Sequence, residues 1–338
     1  MQEKERINWI DWAKAIGAST VVFCHLPQSQ EWFYYRYLQA CIITIFFFLS
    51  GYLKRDRGSM KANWRKYWKS LVVPYLLLNM AVYPYWIVKF SMLQGHLPSI
   101  AEALRPITGM LLMESDSAVS EVLNGPLWYL PAILAMHLIV DCCRRTRYFH
   151  AIMLTLCTLS VVLYAANKYW AFAPYLTVMG IIRRLPYYYI GYVIGQKGLF
   201  RNCNTRHDLT GMAVCFAASL ALFYWHINEE CFPLHIALFY PVNIGFMFGV
   251  LYGCKLLNKY KSEVVVNLSV GTLIVIGLHM IVIGFANYTV EHWRNLKSVC
   301  YHWHEALLLS ILIVAVLYPV ILIAKKYFPA VLGKRFEV

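Results

Sequence analysis

Apolar segments of about 20 residues, each long enough to cross a bilayer as a helix, recur from one end of this chain to the other. Of its 338 residues 60% are hydrophobic and only 14% charged, whereas soluble domains carry about 25% charged residues. We therefore predict an all-α polytopic membrane helix bundle with about ten transmembrane helices. The predicted spans are 7–26, 33–53, 70–91, 127–142, 149–166, 178–196, 209–227, 234–256, 265–286 and 305–325.

The charges between the spans predict the orientation of the bundle. Basic residues concentrate in alternate connecting segments, a pattern typical of cytosolic loops. We therefore expect both termini in the cytosol, the first helix retained rather than cleaved as a signal, and no role for the net charge of +14 in binding nucleic acid. One predicted cytosolic loop, 54–69, alone carries Lys54, Arg55, Arg57, Lys61, Arg65, Lys66 and Lys69.

The chain is predicted to be a single membrane domain, 1–338, with no soluble catalytic domain. Its longest outer loop, 92–126, has the length of a functional or mobile segment. Ten scattered cysteines show no metal-binding spacing, so no metal is expected. Cys231 and Cys300 share the predicted outer side, and the sequence leaves open whether they form a disulfide.

The first span contains three ionisable residues, Asp11, Lys14 and His25. Such residues are costly in a membrane and are usually functional or paired. Asp11 and Lys14, three residues apart, can pair on one helical face. His25 lies about 16 Å further along the axis on nearly the same face as Lys14. A snorkelling lysine beside an aspartate, with a histidine at headgroup level, is the structural alternative.

Two further motifs lie at the predicted cytosolic side. Ser50-Gly51 ends the second span, and such small residues permit close helix packing or the approach of a ligand. Arg65 and Lys69 share one face before the third span, where they could bind an anion or lipid headgroups.

The predicted outer side has its own candidate residues. Trp128 belongs to an aromatic belt or stacks on a sugar. Arg183 and Arg184 lie where basic residues are scarce, and they could bind an anionic group or the outer acidic residues. His279 in the ninth span lies at a depth near that of His25, and histidine is suited to act as a general base near neutral pH.

The motifs together resemble the acyltransferase-3 family of integral-membrane O-acyltransferases, which includes O-antigen and enterobacterial-common-antigen acetylases. The resemblance covers nearly the whole chain. It departs from the family pattern at Lys14 and Lys69, where arginine is usual and bidentate binding is lost. The matching motifs, in order, are Asp11, Lys14 and His25; Phe48–Tyr52; Arg65, Lys69 and Pro74-Tyr75; Pro126–Pro131; Leu185–Gly191; and Ser269 with Leu278-His279.

The resemblance implies transfer of an acyl group, usually acetyl, from cytosolic acyl-CoA to a hydroxyl of a cell-surface glycan or lipid-linked sugar at the outer face of a bacterial inner membrane. His25 would be the general base or the acyl-accepting nucleophile, and Asp11 would orient Lys14 or Arg65. The donor would be bound by Lys14, Arg65, Lys69 and Ser50, and the acceptor by His279, Trp128, Arg183 and Arg184.

Two alternatives stay open at this level. Buried Asp, Lys and His residues also suit a proton-coupled transporter or exporter of a glycan or small substrate, although no inverted repeat is visible. A structural membrane protein would leave the alignment of Lys14 with His25 unexplained. The acceptor, the acyl chain and the oligomeric state do not follow from the sequence.

Overall fold

The computed structural model describes residues 6–56, 58–170, 176–200, 202–229 and 231–333, and these form helices and connecting loops without a β-strand. Arg57 of the basic loop and Glu230 of the outer acidic set lie outside the described residues. The α-helices are α1 (Asn8–His25), α2 (Phe33–Cys41), α3 (Thr44–Tyr52), α4 (Met60–Tyr67), α5 (Val73–Gln94), α6 (Ile100–Leu111), α7 (Tyr129–Cys143), α8 (Phe149–Trp170), α9 (Leu176–Gln196), α10 (Thr205–Asn228), α11 (Phe232–Leu256), α12 (Glu263–Val270), α13 (Thr272–Arg294) and α14 (Trp303–Tyr327).

All ten predicted spans are occupied by helices, which confirms the all-α polytopic bundle. Within the described residues, eight helical stretches are long and apolar enough to cross a membrane. The other two predicted spans are α1 and α9, of 18 and 21 residues. Both contain a pair of charged residues, which lowers their mean hydropathy. The second and ninth spans are each divided, into α2–α3 and α12–α13.

Helix α1 lies inside the bundle, in contact with α2, α3, α11, α12, α13 and α14. Small residues allow this close packing: a Cβ atom at Gly17 would lie 2.9 Å from the Phe46 ring. Asp11 and Lys14 are consequently surrounded by protein rather than by lipid, as is usual for functional charges in membranes.

Glycines also hold α3 against α9, among them Gly51 of α3 and Gly191 and Gly195 of α9. A Cβ atom at either α9 position would overlap the backbone of α3, and one at Gly51 would overlap the carbonyl oxygen of Tyr188. Ser50-Gly51 therefore serves close helix packing, while the Ser50 hydroxyl donates to the Phe46 carbonyl 2.7 Å away.

The basic loop and the third span form a nearly continuous helix from Met60 to Gln94, because a π-helical turn at Trp68–Val72 joins α4 to α5. The long outer loop is also structured. It contains α6, whose N-terminus is closed by a capping box of Ser99 and Glu102. Beyond α6 the loop turns inward and buries Glu114 completely.

Candidate active site

His25, the last residue of α1, lies side by side with His279, which is in the first half of α13. Their ring centroids are 4.8 Å apart, with the planes inclined at 74°. Each Nδ1 lies 2.8 Å from the carbonyl oxygen four residues earlier in its own helix, Val21 for His25 and Val275 for His279. Two histidines predicted from depth alone are therefore in direct contact.

These backbone bonds decide which nitrogen of each ring carries the proton. A carbonyl oxygen only accepts, so each Nδ1 must donate, and in the neutral ring the lone pair lies on Nε2. The Nε2 of His279 is buried without a hydrogen-bond partner among the described residues, whereas His25 is solvent-exposed. The pair therefore presents an accessible base beside an unsatisfied polar atom, whose burial is costly.

Asp11 is buried at the other end of α1 but does not pair with Lys14 as expected. Its carboxylate accepts hydrogen bonds from the Arg6 guanidinium at 2.5 and 2.9 Å and from the Ser269 hydroxyl at 2.5 Å. No hydrogen bond or ion pair joins Asp11 to Lys14 or Arg65 among the described residues, and the orienting role of Asp11 stays a prediction. Asp11 instead ties the start of α1 to α12, where Arg6 also reaches the Val266 carbonyl.

Lys14 lines a cavity of about 260 Å³ between α1, α3, α4, the π-helical turn, α7 and α13. Its ammonium makes no hydrogen bond or ion pair with a described residue. Two more lysines contribute to the wall, and the described part of the lining contains no carboxylate. The polar lining residues are Lys14, Ser50, Lys54, Lys66, Tyr67, Ser70, Tyr129 and His137. Such a lining favours an anionic ligand.

Lys54 connects this cavity to a buried ionic network. Its ammonium bonds to the Asp141 carboxylate at 2.6 Å and to the Tyr67 hydroxyl, which in turn donates to Asp141 at 2.6 Å. Arg144 lies 3.4 Å from Asp141 and pairs with Asp56. Asp56 is in a loop outside the membrane spans, and its hydrogen bond with Arg144 lowers its pKa well below the ordinary value.

A second cavity, of about 390 Å³, shares Lys54 with the first and extends toward the basic loop. Its charged lining residues are Lys54, Asp56, Arg144 and Arg145. A larger open cavity of about 860 Å³ surrounds the Arg6–Asp11 ion pair, with Lys261 and Glu263 in its wall. There the charges balance, so we regard the two cavities at Lys54 as the better anion site.

Arg65 and Lys69 do not line the cavity of Lys14. Arg65 is exposed and Lys69 half-buried, whereas Lys66 and Ser70, one residue further along, reach the wall. The predicted i, i+4 pair is therefore displaced by one position. Lys66 and Ser70 keep the i, i+4 spacing, so the spacing is as predicted and the face of the helix that meets the cavity differs.

The remaining outer-side candidates form a separate group. Trp128 stacks on Phe47 at 5.9 Å, and the Arg184 guanidinium lies 5.1 Å from the Trp128 ring. Arg183 packs instead on Tyr164 and Phe239. Of the four residues assigned to the acceptor, His279 is the one that contacts His25.

The family model described as "Acyltransferase domain", of acyltransferase family 3, matches residues 7–325. The chain belongs to the acyltransferase-3 family. Neither a comparison with curated proteins nor one with solved structures found a match. The match contains His25 and His279 at the outer end of the site and Lys14 and Lys54 at its inner end.

Several residues of this acyltransferase site were missed from the sequence. Asp141 is the one acidic residue in the predicted span 127–142, and the cost of a charge in a membrane could have identified it. Arg6 had no such signal, and Ser269 entered only as a motif residue of the family, because the contact of both with Asp11 depends on tertiary packing. Cys231 and Cys300 are exposed free thiols, without a disulfide between them.

Proposed function

We propose that this membrane acyltransferase is an O-acyltransferase, most simply an O-acetyltransferase. It would take the acyl group from acyl-CoA at the predicted cytosolic side and transfer it to a hydroxyl of a glycan or lipid-linked sugar at the outer side. The observation that carries the proposal is the contact between His25 and His279 in a family of acyltransferases.

The cavities around Lys54 suit the donor. Acyl-CoA carries several phosphate charges, and Lys14, Lys54, Lys66, Arg144 and Arg145 line the two cavities near the basic loop. Lysine and arginine both bind phosphate through charge-assisted hydrogen bonds. This assignment keeps Lys14 and Ser50 as donor residues and replaces Arg65 and Lys69 by their neighbours Lys66 and Ser70.

The histidine pair suits the acceptor hydroxyl. In a direct transfer, Nε2 of His25 takes the hydroxyl proton while the oxygen attacks the thioester carbonyl; the C–S bond then breaks and CoA leaves as a thiolate that takes up a proton. In a two-step transfer, the same Nε2 first attacks the thioester carbonyl; the C–S bond breaks, CoA leaves as a thiolate that takes up a proton, and the acyl group stays on His25 as an acyl-imidazole. The acceptor hydroxyl then attacks this acyl group, the C–N bond breaks and the hydroxyl proton passes to Nε2. His279 would support either path from its position against the His25 ring.

The test is acyl transfer by the purified protein in lipid vesicles, with radiolabelled acetyl-CoA and a lipid-linked sugar. We expect CoA release coupled to labelling of the sugar, and loss of both in His25→Ala. His292→Ala, at the exposed outer end of α13, is the matched control. Sugar flux across the vesicle without consumption of acetyl-CoA would contradict the proposal and indicate a transporter.

A further inference from the structure

Two arginines of α9 lie in a buried aromatic environment without a counter-charge. Neither Arg183 nor Arg184 makes an ion pair or a conventional hydrogen bond with a described residue, and both Nε atoms are buried and unpartnered. Their guanidinium groups pack on aromatic faces, Arg183 4.7 Å from the Tyr164 centroid and Arg184 5.1 Å from that of Trp128.

Tyrosine hydroxyls complete this group, which we call the arginine–tyrosine cluster: Tyr164, Arg183, Arg184, Tyr187 and Tyr240. The hydroxyls of Tyr187 and Tyr240 are also buried without a partner, and the two rings stack at 5.7 Å. Four polar atoms that can all donate hydrogen bonds therefore lie unsatisfied within one cluster. Buried polar groups are normally paired, and an anionic ligand that accepts hydrogen bonds would satisfy all four donors together.

The cluster is placed for a ligand carried by a lipid. Arg183 and Tyr240 lie about 11–12 Å from the predicted outer ends of α9 and α11. The adjoining helix α8 is the peripheral one, since only 17% of its apolar window is buried in the protein. A site between α8, α9 and α11 therefore faces the bilayer more than it faces water.

We propose that the arginine–tyrosine cluster binds the phosphate group at the head of a membrane lipid. Arginine forks match phosphate oxygens in bidentate geometry, and tyrosine hydroxyls can donate to the same oxygens. The phosphate belongs either to a lipid-linked sugar, which would deliver the acceptor of the proposed function, or to a phospholipid that anchors the fold. The first source rests on the proposed function, whereas the binding chemistry is common to both.

The test uses the full chain in a neutral detergent, without acyl-CoA, and measures lipid retention by native mass spectrometry. The probes are polyprenyl phosphate against polyprenol of the same length, and phosphatidylglycerol against diacylglycerol. We expect the wild type to retain at least one phosphate lipid at least about tenfold more tightly than its uncharged partner. A preference for polyprenyl phosphate alone would indicate that the site binds a lipid-linked acceptor. A preference for phosphatidylglycerol alone would indicate that it binds a phospholipid.

Arg183→Gln/Arg184→Gln should remove the preference, whereas Arg36→Gln, an exposed arginine near the predicted outer side, should retain it. Equal retention of phosphate and uncharged lipids by the wild type would overturn the proposal without reference to any variant. An undiminished preference in the folded double variant would overturn it too. This experiment measures lipid retention and not acyl transfer. A protein that prefers phosphate lipids but transfers no acyl group would therefore contradict the proposed function and leave the phosphate site supported.

Discussion

The rings of His25 and His279 lie 4.8 Å apart, each fixed by its Nδ1 to a carbonyl of its own helix. The pair joins the first span to the ninth at one depth. Both Nε2 atoms are left without a backbone partner. The His25 ring can therefore act as a base while the His279 ring, packed against it, sets the orientation of the His25 ring.

Removing His279 should impair turnover without impairing donor binding. His279→Gln should lower kcat by about tenfold to a hundredfold, less than the factor of about 10²–10⁴ expected for loss of a general base in His25→Ala. The KM for acetyl-CoA should stay unchanged, since the lysine-lined cavity lies at the other end of α1. Steady-state kinetics check this, and a raised KM with unchanged kcat would assign His279 to donor binding.

The donor site should depend on Lys66 rather than on Arg65. Lys66→Ala and Lys14→Ala should each raise the KM for acetyl-CoA about tenfold, the loss of one charge-assisted contact. Arg65→Ala, one residue away and exposed, should change it less than about threefold. Titration of KM against salt concentration provides a second measurement. If Arg65→Ala raised the KM for acetyl-CoA more than Lys66→Ala does, the donor site would contain Arg65, as predicted from the sequence.

Breaking the buried network should destabilise the fold. Asp141→Ala leaves the Lys54 ammonium buried without its carboxylate, and loss of one member of such a pair costs about 3–5 kcal/mol. Replacing both, as Lys54→Met/Asp141→Leu, should restore much of the stability. Unfolding in mixed micelles measures this. Asp56→Ala, which removes an exposed partner of Arg144, is the control, and a loss as large as that of Asp141→Ala would argue against the role of burial.

Burial of Glu114 should make stability depend on pH. Its carboxyl accepts hydrogen bonds from the Tyr75 hydroxyl and from the backbone N–H of Asn124. Burial in the outer loop nevertheless raises the pKa of Glu114 above the ordinary 4.5. The folded state therefore holds the proton more tightly than the unfolded state. The stability due to this group is present below about pH 4.5 and decreases as pH rises through the higher folded pKa.

Glu114→Gln should remove this dependence. The Tm difference between wild type and variant should favour the wild type most at low pH and shrink toward neutral pH. Glu102→Gln, in the exposed capping box of α6, is the control. A Tm difference for Glu114→Gln that grows with pH would mean that the carboxylate, rather than the protonated acid, is the buried form.

The helices could be predicted from the sequence because hydrophobic length decides a membrane span locally. The depth of His25 and His279 followed from the same count. The partners of Asp11 could not be predicted, since Arg6 precedes the span and Ser269 approaches through the packing of α12 on α1. Lys66 rather than Arg65 lines the cavity, although both share a four-residue spacing with a partner, because the packing of α4 in the bundle decides which face meets the cavity.

The central claim is that the protein transfers an acyl group from acyl-CoA on one side of the bundle to a sugar hydroxyl on the other, with His25 as the base or the acyl carrier. The most direct measurement supplies radiolabelled acetyl-CoA to the predicted cytosolic side of vesicles that enclose the sugar acceptor. We predict that wild-type protein labels the enclosed sugar and that His25→Ala does not. Labelling by His25→Ala at the wild-type rate would contradict the account.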